Sequence, residues 1–174
     1  MNASQPTLPL VAVLTISDRS ASGNQKDRSG PELADALSKH LQWDCIAKKT
    51  VADEPDQIRA QLCRWADHDG IQLILTTGGT GFAQRDVTPE ATLLVIHRQA
   101  PGLVEAIRAA SLSITPYAML SRAVAGIRNK CLIINLPGNP KAVREALAVL
   151  APVLPHALEL ITGNTVSNVH SRHP

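Results

Sequence analysis

Two rhythms of apolar residues alternate along this chain. Leu10 to Ile16 (LVAVLTI) and Leu73 to Thr77 (LILTT) are short, unbroken aliphatic runs between polar or turn-forming residues. Such runs are expected of strands covered on both faces of a sheet. Asp44 to Val51 reads as a third strand, interrupted by Lys48 and Lys49. Between these runs the spacing changes. Leu33, Leu37 and Leu41 lie four apart after Pro31, and Ile58, Leu62 and Trp65 form one stripe after Pro55, so each segment predicts an amphipathic helix. The order βαβαβ predicts an α/β fold with a parallel sheet.

Beyond Gly81 the pattern is more broken. Thr88 reads as an N-cap, Pro89 as the first helical position and Glu90 as a first-turn acid, with the helix running to about Arg98. Pro101-Gly102 breaks it, and a second helix carries Leu103, Ile107 and Ala110 up to a break at Ser113 to Pro116. Ala123 to Ile127 and Cys131 to Ile134 flank Arg128-Asn129-Lys130, which reads as a hairpin. Asn139 then reads as an N-cap before Pro140, opening a last helix with Val143, Leu147, Leu150 and Leu154 on one face. Pro152 and Pro155 are expected to kink or shorten that helix.

Composition narrows the class. The 174 residues are 44% hydrophobic and carry a formal charge of +2, which suits a single soluble domain without strong bias toward nucleic acid or membranes. Aromatic residues are only 2%, too few for a base-stacking surface. Cys45, Cys63 and Cys131 have no metal-ligand spacing and read as reduced thiols of a cytoplasmic protein. Residues 1–9 and 164–174 read as flexible ends around one domain, residues 10–163. The six histidines do not pair at ligand spacing, and no zinc is assigned.

The chemistry gathers where strands end. In a parallel α/β sheet, ligands bind beyond the carboxyl ends of the strands. Four such ends carry polar or glycine-rich loops: Ser17-Asp18-Arg19, Asp53-Glu54, Thr77-Gly78-Gly79-Thr80-Gly81 with Asp86, and Asn135-Leu136-Pro137-Gly138-Asn139-Pro140. Glycines let backbone amides approach an anion closely, so the glycine loop reads as a phosphate cradle, or more plainly as a tight connection. It fits neither GxxxxGK[ST] nor GxGxxG. Asp53 and Asp86 are candidate magnesium ligands, because Mg²⁺ takes one or two carboxylates plus phosphate oxygens. Each also reads as a helix-start acid. Arg19 and Arg85 are candidate phosphate ligands. Ser17 lacks a GxSxG context and is not a nucleophile candidate. The polar stretch from Ser20 to Gly30 is long enough to suggest a functional loop closing over substrate.

Leu14-Thr15-Ile16-Ser17-Asp18-Arg19, Thr77-Gly78-Gly79-Thr80-Gly81, Arg85-Asp86-Val87-Thr88-Pro89-Glu90-Ala91, Leu120-Ser121-Arg122-Ala123 and Asn135-Leu136-Pro137-Gly138-Asn139-Pro140 resemble the MogA and MoaB family of molybdenum cofactor biosynthesis. The likeness extends to the G domains of gephyrin and the plant molybdenum insertase and covers about Leu10 to Gly163. It implies a three-layer α/β/α sandwich with a mostly parallel central sheet and one hairpin, assembled as a homotrimer. It implies a molybdopterin adenylyltransferase that uses Mg-ATP to adenylylate the terminal phosphate of molybdopterin, releases pyrophosphate, and hands its product to a molybdate insertase. The family's two important aspartates match Asp53 and Asp86, as catalytic residues and Mg²⁺ ligands. The matching substrate-binding positions are Ser17, Asp18, Arg19, Thr77, Gly78, Gly79, Thr80, Gly81, Arg85, Ser121, Arg122, Asn135, Leu136, Pro137 and Gly138. Some MoaB members lose the Arg-Asp-Val-Thr-Pro pattern, which this chain keeps. The alternative is a non-enzymatic molybdopterin carrier or scaffold of the MoaB type.

Overall fold

The computed structural model describes residues 8–164, so the predicted flexible ends fall almost wholly outside the described residues. Six strands form one sheet: β1 (Val11–Ile16), β2 (Cys45–Val51), β3 (Leu73–Thr77), β4 (Arg98–Gln99), β5 (Ala125–Arg128) and β6 (Cys131–Leu136). Their order is β2-β1-β3-β6-β5-β4. The first four in that order run parallel, whereas β5 pairs antiparallel with both β6 and β4. The expected sheet and its one hairpin are present, with a short extra strand added at the edge.

Helices cover both faces. Residues of α2 (Ser29–Leu41), α5 (Pro101–Leu112), α6 (Pro140–Leu150) and α7 (Leu154–Thr162) pack in one buried cluster with Val11, Val13, Leu73, Leu75, Leu132 and Ile134. Residues of α3 (Pro55–Asp67) and α4 (Thr88–Leu93) pack in a second cluster with Ala12, Leu14, Ile16, Ile74 and Ile133. A four-residue helix, α1 (Asp18–Ala21), follows β1. Alternate residues of each central strand thus enter opposite layers, which accounts for the unbroken apolar runs. Edge strand β2 is covered less completely, and this tolerates its lysines. Lys49 Nζ donates to Gln61 Oε1 at 2.6 Å.

Three boundaries differ from the expectation, each for an identifiable reason, and a fourth break is the one expected. Helix α2 starts at Ser29 rather than Pro31, because the Asp27 carboxylate accepts from the Gly30 amide at 3.1 Å and satisfies the helix start. Thr88 is a helical residue following Val87, not the N-cap; its hydroxyl donates to the Gly78 carbonyl at 2.9 Å. The helix after Pro89 stops at Leu93 instead of Arg98. There the His97 and Ala100 amides donate to Ile127 and Ala125 at 2.8 Å each, so the open hairpin edge captures this segment as β4. The last predicted helix is two helices, α6 and α7, bent by 66° at residues 151–153, which is the interruption expected of Pro152 and Pro155.

One polar side chain pins the sheet from within. Asn135 on β6 is fully buried; its Nδ2 donates to Thr76 Oγ1 at 3.0 Å and to Thr92 Oγ1 at 2.9 Å. Its Oδ1 accepts from the Val124 amide at 3.3 Å. It therefore joins β3, α4 and the approach to β5. Asn135→Ala is expected to lower stability by at least about 2 kcal/mol, since it strips partners from a buried amide and two hydroxyls. Urea unfolding checks this, and a loss below about 0.5 kcal/mol would show the pin to be unimportant.

Candidate active site

The chain leaves β1 toward α2 on one face of the sheet and leaves β3 toward α4 on the other. Neighbouring connections that part in this way open a crevice beyond the two strand ends. The crevice is a cavity of about 640 Å³, with Asp18, Asp53, Gly78, Gly79, Arg85 and Asp86 among its lining residues.

Close backbone contact at the crevice floor explains the glycines. Gly78 and Gly79 have φ of 102° and 62°. A Cβ on Gly78 would stand 2.2 Å from the Ile16 carbonyl oxygen, and one on Gly79 would stand 2.4 Å from Thr88 Oγ1 and 2.9 Å from Asp53 Oδ1. Neither position admits a side chain. The Gly78 amide is already committed to the Leu136 carbonyl at 3.3 Å. No acceptor among the described residues takes the Gly79, Thr80 or Gly81 amide. Of the three, Gly79 lines this cavity and Thr80 and Gly81 line a second one, and amides without a protein partner are the kind of donor that an anion can use.

The carboxylates are tied to one another and to one arginine. Asp18 and Asp53 exchange bonds: the Asp18 amide donates to Asp53 Oδ2 at 2.8 Å, and the Asp53 amide donates to Asp18 Oδ1 at 3.0 Å. Arg85 Nε and Nη2 fork onto both Asp18 oxygens at 3.0 Å, and Nη2 also reaches Glu54 Oε1 at 2.7 Å. Asp86 Oδ2 accepts from the Ala83 amide at 3.0 Å, fixing that carboxylate at its own turn. Burial raises the Asp53 carboxyl above its ordinary value; the Asp18 hydrogen bond opposes this, while the charges of Asp18 and Asp86 add to it. The Arg85 fork, and then the Asp53 amide, hold Asp18 below its ordinary value.

On the far side of the glycine loop lies a second cavity of about 280 Å³, lined by Thr80, Gly81, Ser121 and Pro137 together with Ile107, Ile114, Tyr117 and Leu120. Its lining is mostly apolar. Arg122 holds the partition between the two cavities: Nε donates to the Gly81 carbonyl at 2.7 Å, and the other guanidinium nitrogens donate to the Asp86 carbonyl and pair with Glu90.

Most of the residues singled out from sequence meet here. Ser17, Asp18, Arg19, Asp53, Gly78, Gly79, Arg85, Asp86 and Gly138 line the first cavity. Thr80, Gly81, Ser121 and Pro137 line the second. Thr77, Asn135 and Leu136 lie behind the wall, fully buried; Thr77 Oγ1 supports it by donating to the Pro137 carbonyl at 2.7 Å. Sequence reasoning passed over Asp27. Its Oδ2 accepts from Thr15 Oγ1 at 2.7 Å, and its Oδ1 accepts from Ser29 Oγ at 3.3 Å, so it fastens the long polar loop along the first cavity. The available signal was an acid three residues before the Gly30 amide.

The family described as "Probable molybdopterin binding domain" matches residues 12–156. The chain belongs to that family. A molybdopterin adenylyltransferase from Helicobacter pylori is 46% identical over 155 residues, 88% of this chain and 88% of that protein. Gephyrin from Dictyostelium discoideum is 44% identical over 173 residues, covering 94% of this chain but only 24% of gephyrin, so the chain spans about a quarter of that relative. The solved structure of MoaB from Thermus thermophilus, described as a molybdopterin biosynthesis enzyme, has a TM-score of 0.87 and 46% identity, covering 92% of this chain and 100% of that one.

Within this family member the glycine contacts make a direct prediction. Gly78→Ala is expected to destabilise the fold by more than about 1 kcal/mol, from positive φ and the Ile16 contact. Gly102→Ala, in α5 with nothing within 4 Å of the new Cβ, is expected to be neutral or stabilising by up to about 1 kcal/mol. Thermal melts of the pair check the contrast; equal effects would refute the close approach.

Proposed function

We propose that this protein is a molybdopterin adenylyltransferase of molybdenum cofactor biosynthesis. It transfers AMP from Mg-ATP to the terminal phosphate of molybdopterin and releases pyrophosphate. One arrangement carries the reading: a polar cavity holding Asp53 and Asp86 and a mostly apolar cavity share one glycine-loop wall. A reaction between two phosphorylated heterocycles needs both kinds of surface at one phosphate-binding loop. The identity to molybdopterin adenylyltransferases over most of the chain supports the same reading.

The donor set suits magnesium. Among the described residues no group of three His, Cys, Asp or Glu side chains forms a protein-only metal cage. Asp53 and Asp86 face one cavity, and two carboxylates completed by phosphate oxygens and water are the usual Mg²⁺ arrangement. Bound there, the ion would supply charge neutralisation for the α-phosphate and the departing pyrophosphate.

The rest falls to the chain. The amides of Gly79, Thr80 and Gly81 hold phosphate oxygens, and Arg19 adds positive charge at the rim. The second cavity takes a flat ring system against Tyr117, Ile114 and Leu120, near the Ser121 side chain. A terminal phosphate oxygen of molybdopterin attacks the α-phosphorus of ATP; the bond to the bridging oxygen breaks, and pyrophosphate leaves with the electron pair. Unit charges of like sign repel by about 1 kcal/mol at 4 Å even in water, so placement and charge stabilisation are the main tasks. No covalent enzyme intermediate is required.

The assembly is proposed to be a homotrimer in the cytoplasm that passes its product to a molybdate insertase, with no nucleic-acid or membrane partner. Among the described residues no single helix is long and apolar enough to cross a membrane.

The deciding assay is magnesium-dependent pyrophosphate release from ATP in the presence of molybdopterin. A carrier would bind molybdopterin and release none. Asp86→Asn is expected to lower turnover at least about tenfold, roughly 1.4 kcal/mol of barrier, while molybdopterin binding is retained. Unchanged turnover at saturating Mg-ATP would remove Asp86 from the mechanism.

A further inference from the structure

Arg85 reads at first as a phosphate ligand, being a cation at the mouth of an anion-binding crevice. Its side chain is engaged otherwise. Nε and Nη2 take both oxygens of Asp18 at 3.0 Å, and Nη2 takes Glu54 at 2.7 Å. Both acceptors come from neighbouring strand ends: Asp18 follows β1 and Glu54 follows β2. Asp18 in turn exchanges two hydrogen bonds with Asp53, at 2.8 and 3.0 Å. One Asp53 oxygen is thereby fixed, and the other faces the Cα of Gly79. At its other end Arg85 is the covalent neighbour of Asp86, whose carboxylate is fixed on the Ala83 amide. A continuous chain of contacts thus runs from Asp86 through Arg85 and Asp18 to Asp53.

We propose that Arg85 is a positioning residue: through its fork on Asp18 it sets Asp53 and Asp86 in a common orientation toward one divalent cation, rather than holding substrate phosphate. The inference rests on the magnesium-dependent reading above and deepens it. A bidentate arginine–carboxylate pair fixes angle as well as distance, which a lysine cannot do. Partners that orient metal-binding side chains commonly change metal affinity about 10–100-fold when removed.

The sign of the effect separates this role from plain electrostatics. Removing a positive charge beside an acidic cluster should tighten cation binding by Coulomb attraction alone. Removing a brace should weaken it. The experiment titrates the full-length protein with manganese(II) alone, reading affinity from water-proton relaxation, and measures kcat and the KM for ATP separately. Arg85→Gln is expected to weaken manganese binding about tenfold or more and to raise the magnesium concentration needed for half-maximal turnover, with little change in the KM for ATP at saturating magnesium. Arg85→Lys, which keeps the charge without the fork, is expected to weaken binding as well, and it serves should the glutamine variant fold poorly. Asp18→Asn is expected to reproduce the loss, and the double variant Arg85→Gln/Asp18→Asn to bind no worse than the weaker single variant.

Equal or tighter manganese binding by Arg85→Gln and Arg85→Lys, with wild type binding the ion, overturns the brace and leaves the adenylyltransferase reading intact. A raised KM for ATP with unchanged manganese affinity likewise overturns it, returning Arg85 to phosphate binding. If wild type binds no manganese and turns over equally well in a chelator, the magnesium-dependent reading itself fails.

Discussion

The site depends on one steric fact, the passage of the Gly78 backbone within a side chain's reach of the Ile16 carbonyl. A Cβ there would stand 2.2 Å from that oxygen, well inside any tolerable contact. Because β1 and β3 are neighbours in register, Thr15 opposite Thr77, the loops leaving them must cross at once. One turns toward α2 and the other toward α4 on opposite faces. Only a residue without a side chain passes this crossing. The result is a loop held close against the end of β1, with Asp53 brought beside Gly79.

That geometry creates an electrostatic problem which the neighbouring residues manage. Asp18, Asp53, Glu54 and Asp86 crowd one rim, and burial with the surrounding negative charge lifts Asp53 above its ordinary value. Arg85 pairs with two of the four directly, offsetting one of the four charges. Exposed ion pairs contribute little to stability, so this pairing is better understood through orientation than through folding energy. The same economy applies to Arg122, whose contacts to the Gly81 and Asp86 carbonyls and to Glu90 order the partition between the cavities.

Much of this was legible from the sequence, for reasons that can be named. Strands β1 and β3 announce themselves because both faces are buried, leaving no charged residue and only threonines at their carboxyl ends to break the run. Asn139 and Pro140 announce α6 because capping is local: Asn139 Oδ1 accepts from the Lys141 and Ala142 amides at 2.8 and 3.2 Å. The strand-end rule then brought Asp18, Asp53 and Asp86 to one cavity although 68 residues separate the first from the last. What stayed hidden depends on partners distant in sequence. Strand β4 exists because the β5 edge offers hydrogen bonds, which no local pattern in residues 94–99 records. Thr88 has the composition of an N-cap, yet its hydroxyl answers a carbonyl across the glycine loop. Asn135 looked like part of a substrate loop and proved to be a buried pin, because the register of β6 against β3 sets it opposite Thr76.

The two cavities also bear on why the loop carries several glycines instead of one. Gly78 answers the crossing with β1, and Gly79 makes room for Thr88 and Asp53. Gly81 does the corresponding service for Asp86, whose Oδ2 would lie 2.9 Å from a Cβ there. Gly138, just beyond the neighbouring end of β6, would place a Cβ 3.2 Å from the Cα of Gly78. Each missing side chain thus admits a different neighbour, and two of those neighbours are the carboxylates proposed to hold the cation. The loop is therefore shaped by the backbone and carboxylates packed against it. A substitution at Gly79 or Gly81 therefore displaces a carboxylate as well as filling space.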